Sequence, residues 1–241
     1  MLLFEVSGSN KMLDYHETLS PKIWDGQELK REVLTALRRI AKEFIETLGV
    51  APESVVDVII TGSLCNYNYT KYSDIDLHVV LDYSQICDDC EGFSLDDCMK
   101  AKKSLWNDRH DITIYGIDVE LYVQDKNDKI TGNAGVFSVA KNTWLRVPKK
   151  LKSVDYDERL VQSKAKHIMA EIDSIIDDKV DDVQTIKKIQ DKIKNMRKSG
   201  LERAGEFSIE NLVFKILRNS GYMKKLYDYQ LSMKDKDLSL K

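Results

Sequence analysis

The sequence predicts an α+β protein in two parts: a mixed sheet with flanking helices over residues 1–148, then a helical bundle over 149–241. Three observations carry this. Two short β-branched runs, Val55 to Thr61 and Ile75 to Leu81, are bounded by Pro52, Gly62 and polar loop residues, which favours buried strands over helices. A third segment, 111–123, alternates apolar and polar residues with a period of two. Beyond Pro148-Lys149-Lys150 the spacing of apolar residues becomes helical throughout.

In chain order, the segment to about Ser20 shows no period. Over 27–48, Leu29, Val33, Leu37, Ile40, Phe44 and Leu48 recur every three or four positions and Gly49 supplies a stop, so an amphipathic helix should pack on the sheet. Its Lys30, Arg31, Arg38 and Arg39 are read as solvated positions. The first strand ends at Thr61, and the second opens at Ile75. Ser94 is the expected N-cap of a helix over 94–106, with Asp97 three residues on. Residues 111–123 should form a hairpin or a bent pair around Gly116. The stretch 125–135 is loop, and 136–147 receives no role beyond one more strand or an irregular cover.

In the second part, Val161, Ala165, Ile168, Ile172 and Ile175 form one stripe and Val183, Ile186, Ile189, Ile193 and Met196 a second. An acidic turn separates them, so two antiparallel helices follow. A third helix opens at Ser208, turns Leu212, Ile216 and Leu217 inward and breaks near Gly221; the residues from about Met233 are read as loose. The second helix carries Lys187, Lys188, Lys192, Lys194, Arg197 and Lys198. Phosphate contact with a nucleic acid is one reading of this basic face. A solvated face that complements the helix dipole is the other, and the simpler.

Composition narrows the field. The chain has 241 residues and a net charge of −3, with a pI near 5.9, so no global charge draws it to nucleic acid or an anionic membrane. Apolar runs fall short of the ~18 residues of a membrane span. Met1-Leu2-Leu3-Phe4 is interrupted by Glu5, so neither a span nor a secretory signal is expected, and the expected compartment is the cytoplasm. Of the four cysteines, Cys87-x-x-Cys90 followed by Cys98 looks like part of a zinc site, with Cys65 or His110 as the conceivable fourth ligand. Ordinary reduced cysteines are the preferred reading.

The chemistry concentrates around the first two strands. Gly62-Ser63, just past a strand end, lets the backbone approach an anion. At the start of the second strand Asp74 and Asp76 point to one face, while Ile75 and Leu77 point to the other. Two adjacent carboxylates repel unless a cation lies between them, and a site with oxygen ligands only suits Mg²⁺ or Mn²⁺. In the third segment Asp118, Glu120 and Tyr122 share one face opposite Ile117, Val119, Leu121 and Val123. Glu120, between Val119 and Leu121, is preferred over Asp118 as a third acid, because Asp118 lies close to the Gly116 turn. The loop between the strands holds Tyr67, Tyr69 and Tyr72, which either stack on a base or pack, and Lys71, within reach of a triphosphate. His78 is read as a packed histidine.

Gly62-Ser63, ten intervening residues, Asp74-Ile75-Asp76-Leu77 and then an acid on a later apolar strand together resemble the signature of the polymerase-β-like nucleotidyltransferase superfamily. Over the whole chain, Thr61-Gly62-Ser63, Lys71 to His78, Gly116 to Tyr122 and Gly205 to Leu212 resemble uncharacterised nucleotidyltransferase-like proteins of tailed bacteriophages. The resemblance implies a palm-like mixed sheet and two Mg²⁺ ions, with Mn²⁺ able to substitute, held by Asp74, Asp76 and Glu120 or Asp118. It implies a nucleoside triphosphate held at Gly62, Ser63, Lys71, Tyr72 and Ser73. The implied reaction is transfer of a nucleoside monophosphate to an acceptor hydroxyl with release of pyrophosphate. RNA, with tRNA included, stands first among acceptors, through the basic helix 187–198; a protein or small molecule is the alternative. If the chain is phage-encoded, the compartment is the host cytoplasm, with no membrane partner. An inactive nucleotide-binding protein on the same fold, and then a guanosine polyphosphate synthetase, are the competing functions.

Overall fold

The structure is a computed structural model that describes residues 15–86, 94–130, 134–150, 156–180 and 182–239. The chain divides into two compact units, Met1–Leu151 and Lys152–Lys241. No helix among the described residues is long and apolar enough to cross a membrane.

The first unit is a mixed α+β layer structure. A small antiparallel hairpin, β1 (Trp24–Asp25) and β2 (Glu28–Leu29), precedes helix α1 (Arg31–Leu48). The main sheet comprises β3 (Val55–Thr61), β4 (Ile75–Leu81), β5 (Thr113–Ile114), β6 (Ile117–Asp125), β7 (Val136–Ser138) and β8 (Thr143–Arg146), in the order β5-β6-β4-β3-β7-β8. Only the β4 and β6 pairing is parallel; the other neighbours run antiparallel. A parallel neighbour needs a crossover, and helix α2 (Leu95–Arg109) supplies it between β4 and the β5–β6 hairpin.

The apolar alternation seen in the sequence decides which face is core. Ile75, Leu77, Val79 and Leu81 of β4, with Val119 and Leu121 of β6, join Leu37, Phe44 and Leu48 of α1 in one buried cluster. Phe44 is fully buried and meets the Trp106 ring edge-on at 5.3 Å. The opposite face of these strands carries Asp76, His78, Glu120 and Tyr122, all half-buried. A one-residue slip would drive both carboxylates into the core, so the register is strongly specified.

Local signals set most boundaries. Gly49 ends α1 with φ 68°, a left-handed cap. The Ser94 hydroxyl accepts the Asp97 N–H at 3.1 Å at the start of α2. Tyr115 (φ 53°) and Gly116 (φ 71°) form the two-residue turn between β5 and β6, the positive-φ connection that matches strand twist. Three expectations for the first unit need correction. The helix starts at Arg31 rather than near Gln27, because Trp24 to Leu29 forms a hairpin whose Trp24 ring is buried against Phe137 and Trp144. Residues 136–147 contain two strands, β7 and β8. Cys98 is disulfide-bonded rather than reduced, which removes it from any thiolate metal set; Cys87 and Cys90 lie outside the described residues.

The second unit holds helices α3 (Glu158–Asp177), α4 (Val183–Ala204), α5 (Ile209–Asn219) and α6 (Tyr222–Leu238). Side chains of Asp157, Asp182 and Ser208 cap the first three. Short α5 buries Asn211, Leu212, Val213, Ile216 and Leu217, and packs on α3, α4 and α6. The expected loose end from Met233 is instead helical to Leu238, with Leu226 and Met233 buried. Gly221 breaks α5 and, at φ 81°, starts the next helix.

Phe44→Ala should lower the unfolding free energy by about 3–5 kcal/mol, read by chemical denaturation; a loss within ~1 kcal/mol would mean the α1 contact is not central to the core. A second expectation concerns Asp82, which receives Lys126 Nζ at 2.6 Å as well as Ser84 and Gln85. These hydrogen bonds, the Lys126 one first, hold its carboxyl down at about 2, against an ordinary 3.8. Its contribution is therefore complete above about pH 4 and lost as pH falls through about 2. Asp82→Asn should flatten the acid limb of a plot of thermal midpoint against pH in that window, and an unchanged limb would exclude this role.

Candidate metal and nucleotide site

The site is assembled at one end of the β3–β4–β6 pairing. Parallel pairing sets Asp76 directly opposite Glu120, and Asp74 lies two residues before Asp76, just outside β4. Carboxylate oxygens of Asp74, Asp76 and Glu120 all lie within 4.8 Å of one another. Among the described residues this is the one group of three acidic, histidine or cysteine side chains so disposed. The structure brings these three together and leaves Asp118 out. Asp118 is exposed, opposite Thr113 of the short edge strand β5.

Gly62 closes the site from the β3 side. It takes φ 81° and ψ −161°, a region open to glycine, and a Cβ there would stand 2.0 Å from Asp76 Oδ2. Both its conformation and its lack of a side chain are therefore required. Ser63 opens a short 3₁₀ turn, and its hydroxyl donates to Ser73 Oγ at 2.8 Å. Ser73 Oγ also accepts the Thr70 N–H at 2.9 Å, so Ser73 closes the loop immediately before Asp74. Lys71 and Tyr72 stand exposed on that loop, with Lys71 Nζ 4.9 Å from the Tyr72 ring centre. Tyr67 is buried, and Tyr69 is stacked on His16 at 3.8 Å, so these two tyrosines pack while Tyr72 remains at the surface.

Helix α2 supplies what the sequence reading did not foresee. Asn107 donates through Nδ2 to the Leu121 carbonyl at 3.0 Å and accepts the Leu121 N–H at 3.1 Å, satisfying the edge of β6 where β5 no longer pairs with it. One turn earlier, Lys103 Nζ reaches Glu120 Oε1 at 3.2 Å and lies 4.4 Å from the Tyr122 ring centre. Tyr122 stacks on His78 at 4.7 Å, and His78 Nδ1 meets Gln124 Oε1 at 2.7 Å. Burial lowers the His78 pKa and raises that of the Tyr122 phenol, the latter with help from Asp76 and Glu120. Both rings therefore remain neutral through neutral pH. No motif links Lys103 to Glu120; a lysine four residues before an asparagine becomes meaningful only once α2 lies along β6.

The donor set suits a hard divalent cation: three carboxylates with no sulfur or imidazole nitrogen among them. Cys65, the last residue of the 3₁₀ turn, is buried, and burial, reinforced by Asp76, pushes its thiol well above the ordinary value. It is a packed thiol rather than a thiolate ligand.

No family model and no curated protein matches the sequence. Among solved structures, the chain is similar to the STING-associated CdnE c-di-GMP synthase from Capnocytophaga granulosa, at 17% identity over 84% of this chain and 67% of that one, with a TM-score of 0.22.

Gly62→Ala should cost roughly 1–3 kcal/mol of stability by forcing a strained backbone and a clash with Asp76. Urea denaturation reads this, and a variant as stable as the parent would disprove the close approach.

Proposed function

We propose that the protein is a metal-dependent nucleotidyltransferase of the polymerase-β-like kind, with the first unit as its catalytic domain on a palm-like sheet and the second as an accessory helical domain. It would transfer a nucleoside monophosphate from a triphosphate to an acceptor hydroxyl and release pyrophosphate. The observation that carries this reading is the convergence of Asp74, Asp76 and Glu120 within 4.8 Å, beside a glycine where a Cβ would touch Asp76.

Asp74 and Asp76 would hold two Mg²⁺ ions, or Mn²⁺ in their place, and Glu120 would complete the set on the acceptor side. Bound there, the ions supply neutralisation of phosphate oxygens and a lowered pKa for the acceptor hydroxyl. Gly62 lets the backbone come close to the triphosphate, and Ser63, tied to Ser73, offers a hydroxyl already positioned at that turn. Lys71 and Tyr72, exposed on the loop, would meet the phosphates and the base. RNA stands first among acceptors because Lys187, Lys188, Lys194 and Lys198 form an exposed basic face on α4. The other three basic residues of that helix have internal contacts: Lys192 with Glu171 at 2.7 Å, Arg203 with Glu210 at 2.7 Å and Arg197 over the Phe214 ring at 4.1 Å.

The test is incubation with each α-labelled nucleoside triphosphate, Mg²⁺ or Mn²⁺ and total cellular RNA, beside the Asp74→Ala/Asp76→Ala variant. Label should enter RNA with the parent protein and fall to background with the variant. Label in a protein or a small product keeps the chemistry and changes the acceptor. Near-normal transfer by the variant would remove the site assignment, and triphosphate binding without any transfer would leave a binding protein.

A further inference from the structure

We propose that Lys103 is a built-in counter-ion of Glu120 that an incoming divalent cation must displace, so that this lysine sets how tightly the third carboxylate takes part in metal binding. The inference rests on the metal-dependent reading above and adds a positioning residue to it.

Lys103 is held in place rather than drifting at the surface. Its helix is fixed along β6 by both Asn107 hydrogen bonds to Leu121, and Met99 and Trp106 are buried on the core side of the same helix. Lys103 lies one turn before Asn107, hence on the same helix face, and its side chain is 21% exposed. The ammonium sits 3.2 Å from Glu120 Oε1, and Tyr122 follows two residues along the same strand, on the same face. A divalent ion drawn to Asp74 and Asp76 meets a Glu120 already engaged by a positive charge, and the two cations repel at close range. The Tyr122 ring, 4.4 Å from Nζ, offers a second resting place, since the face of an aromatic ring attracts a cation. An ammonium displaced from Glu120 would therefore still have the ring contact it already makes.

Mn²⁺ alone is the probe, its binding followed by loss of the free-ion electron paramagnetic resonance signal, on the full chain and on Lys103→Met, Lys103→Gln, Glu120→Gln and the Lys103→Met/Glu120→Gln pair. Both lysine variants should bind Mn²⁺ roughly threefold or more tightly than the parent. In the Glu120→Gln background the gain should vanish. Affinity unchanged or weakened in the lysine variants overturns the proposal, and a lowered thermal midpoint without any change in affinity would mark the pair as merely structural. A gain that persists without Glu120 also overturns it, as a general charge effect. If the parent binds no Mn²⁺ at millimolar concentration, the metal-dependent reading itself fails; if it binds and the lysine variants do not differ, only the role of Lys103 falls.

Discussion

Parallel pairing of β4 with β6 sets Asp76 against Glu120, and much of the first unit can be understood as what holds that unfavourable neighbourhood in place. Like charges across neighbouring strands oppose pairing. The apolar face opposes them: Ile75, Leu77, Val119 and Leu121 are all buried, and any other register would trade that burial for carboxylates in the core. Burying such side chains is worth roughly 1.5–3 kcal/mol each, more than the repulsion of half-solvated acids. The register is thus fixed on one face and exploited on the other.

Other acids in the same unit show what ordinary accommodation looks like. Asp57 is buried, and it accepts the Val58 N–H, the Ser138 hydroxyl and Lys141 Nζ, all within 2.9 Å. Asp82 is similarly enclosed by Ser84, Gln85 and Lys126. Each of these carboxylates has donors matched to it, as a structural role requires. Asp74, Asp76 and Glu120 also converge on one another, each with an oxygen within 4.8 Å of the others. The ion pair with Lys103 answers part of that charge, and it comes from a helix rather than from the strands that create the problem.

Legibility followed the range of the interactions. The bounds of β3 and β4, the Ser94 and Ser208 caps and the Gly116 turn depend on residues a few positions apart, and local pattern was sufficient for them. The shared face of Asp74 and Asp76 is local in the same sense. Glu120 was readable only as an acid on an apolar strand; its place opposite Asp76 depends on the parallel crossover. Lys103 was invisible, because its partner is reached only after α2 lies along the β6 edge through Asn107. The α6 helix was hidden for another reason. Gly221 is a credible stop, and with only Leu226 and Met233 buried along its length the following segment has little apolar period to read.

Departures from ordinary local structure gather at the strand end that carries the acids. Gly62 is held where a side chain cannot stand, three acids are gathered within 4.8 Å, and the loop before Asp74 is tied through Ser63, Ser73 and Thr70. Each feature opposes stability or restricts the chain, and none is needed to fill the core on the other side of the sheet. Independent features of this kind gathered at one strand end are what a preorganised site requires, since each donor must be placed before the ligand arrives. The third carboxylate, on a different strand, adds an oxygen ligand that the Asp74 and Asp76 pair does not supply. Glu120 is therefore the position at which the strand pairing, the acidic cluster and the Lys103 ammonium meet.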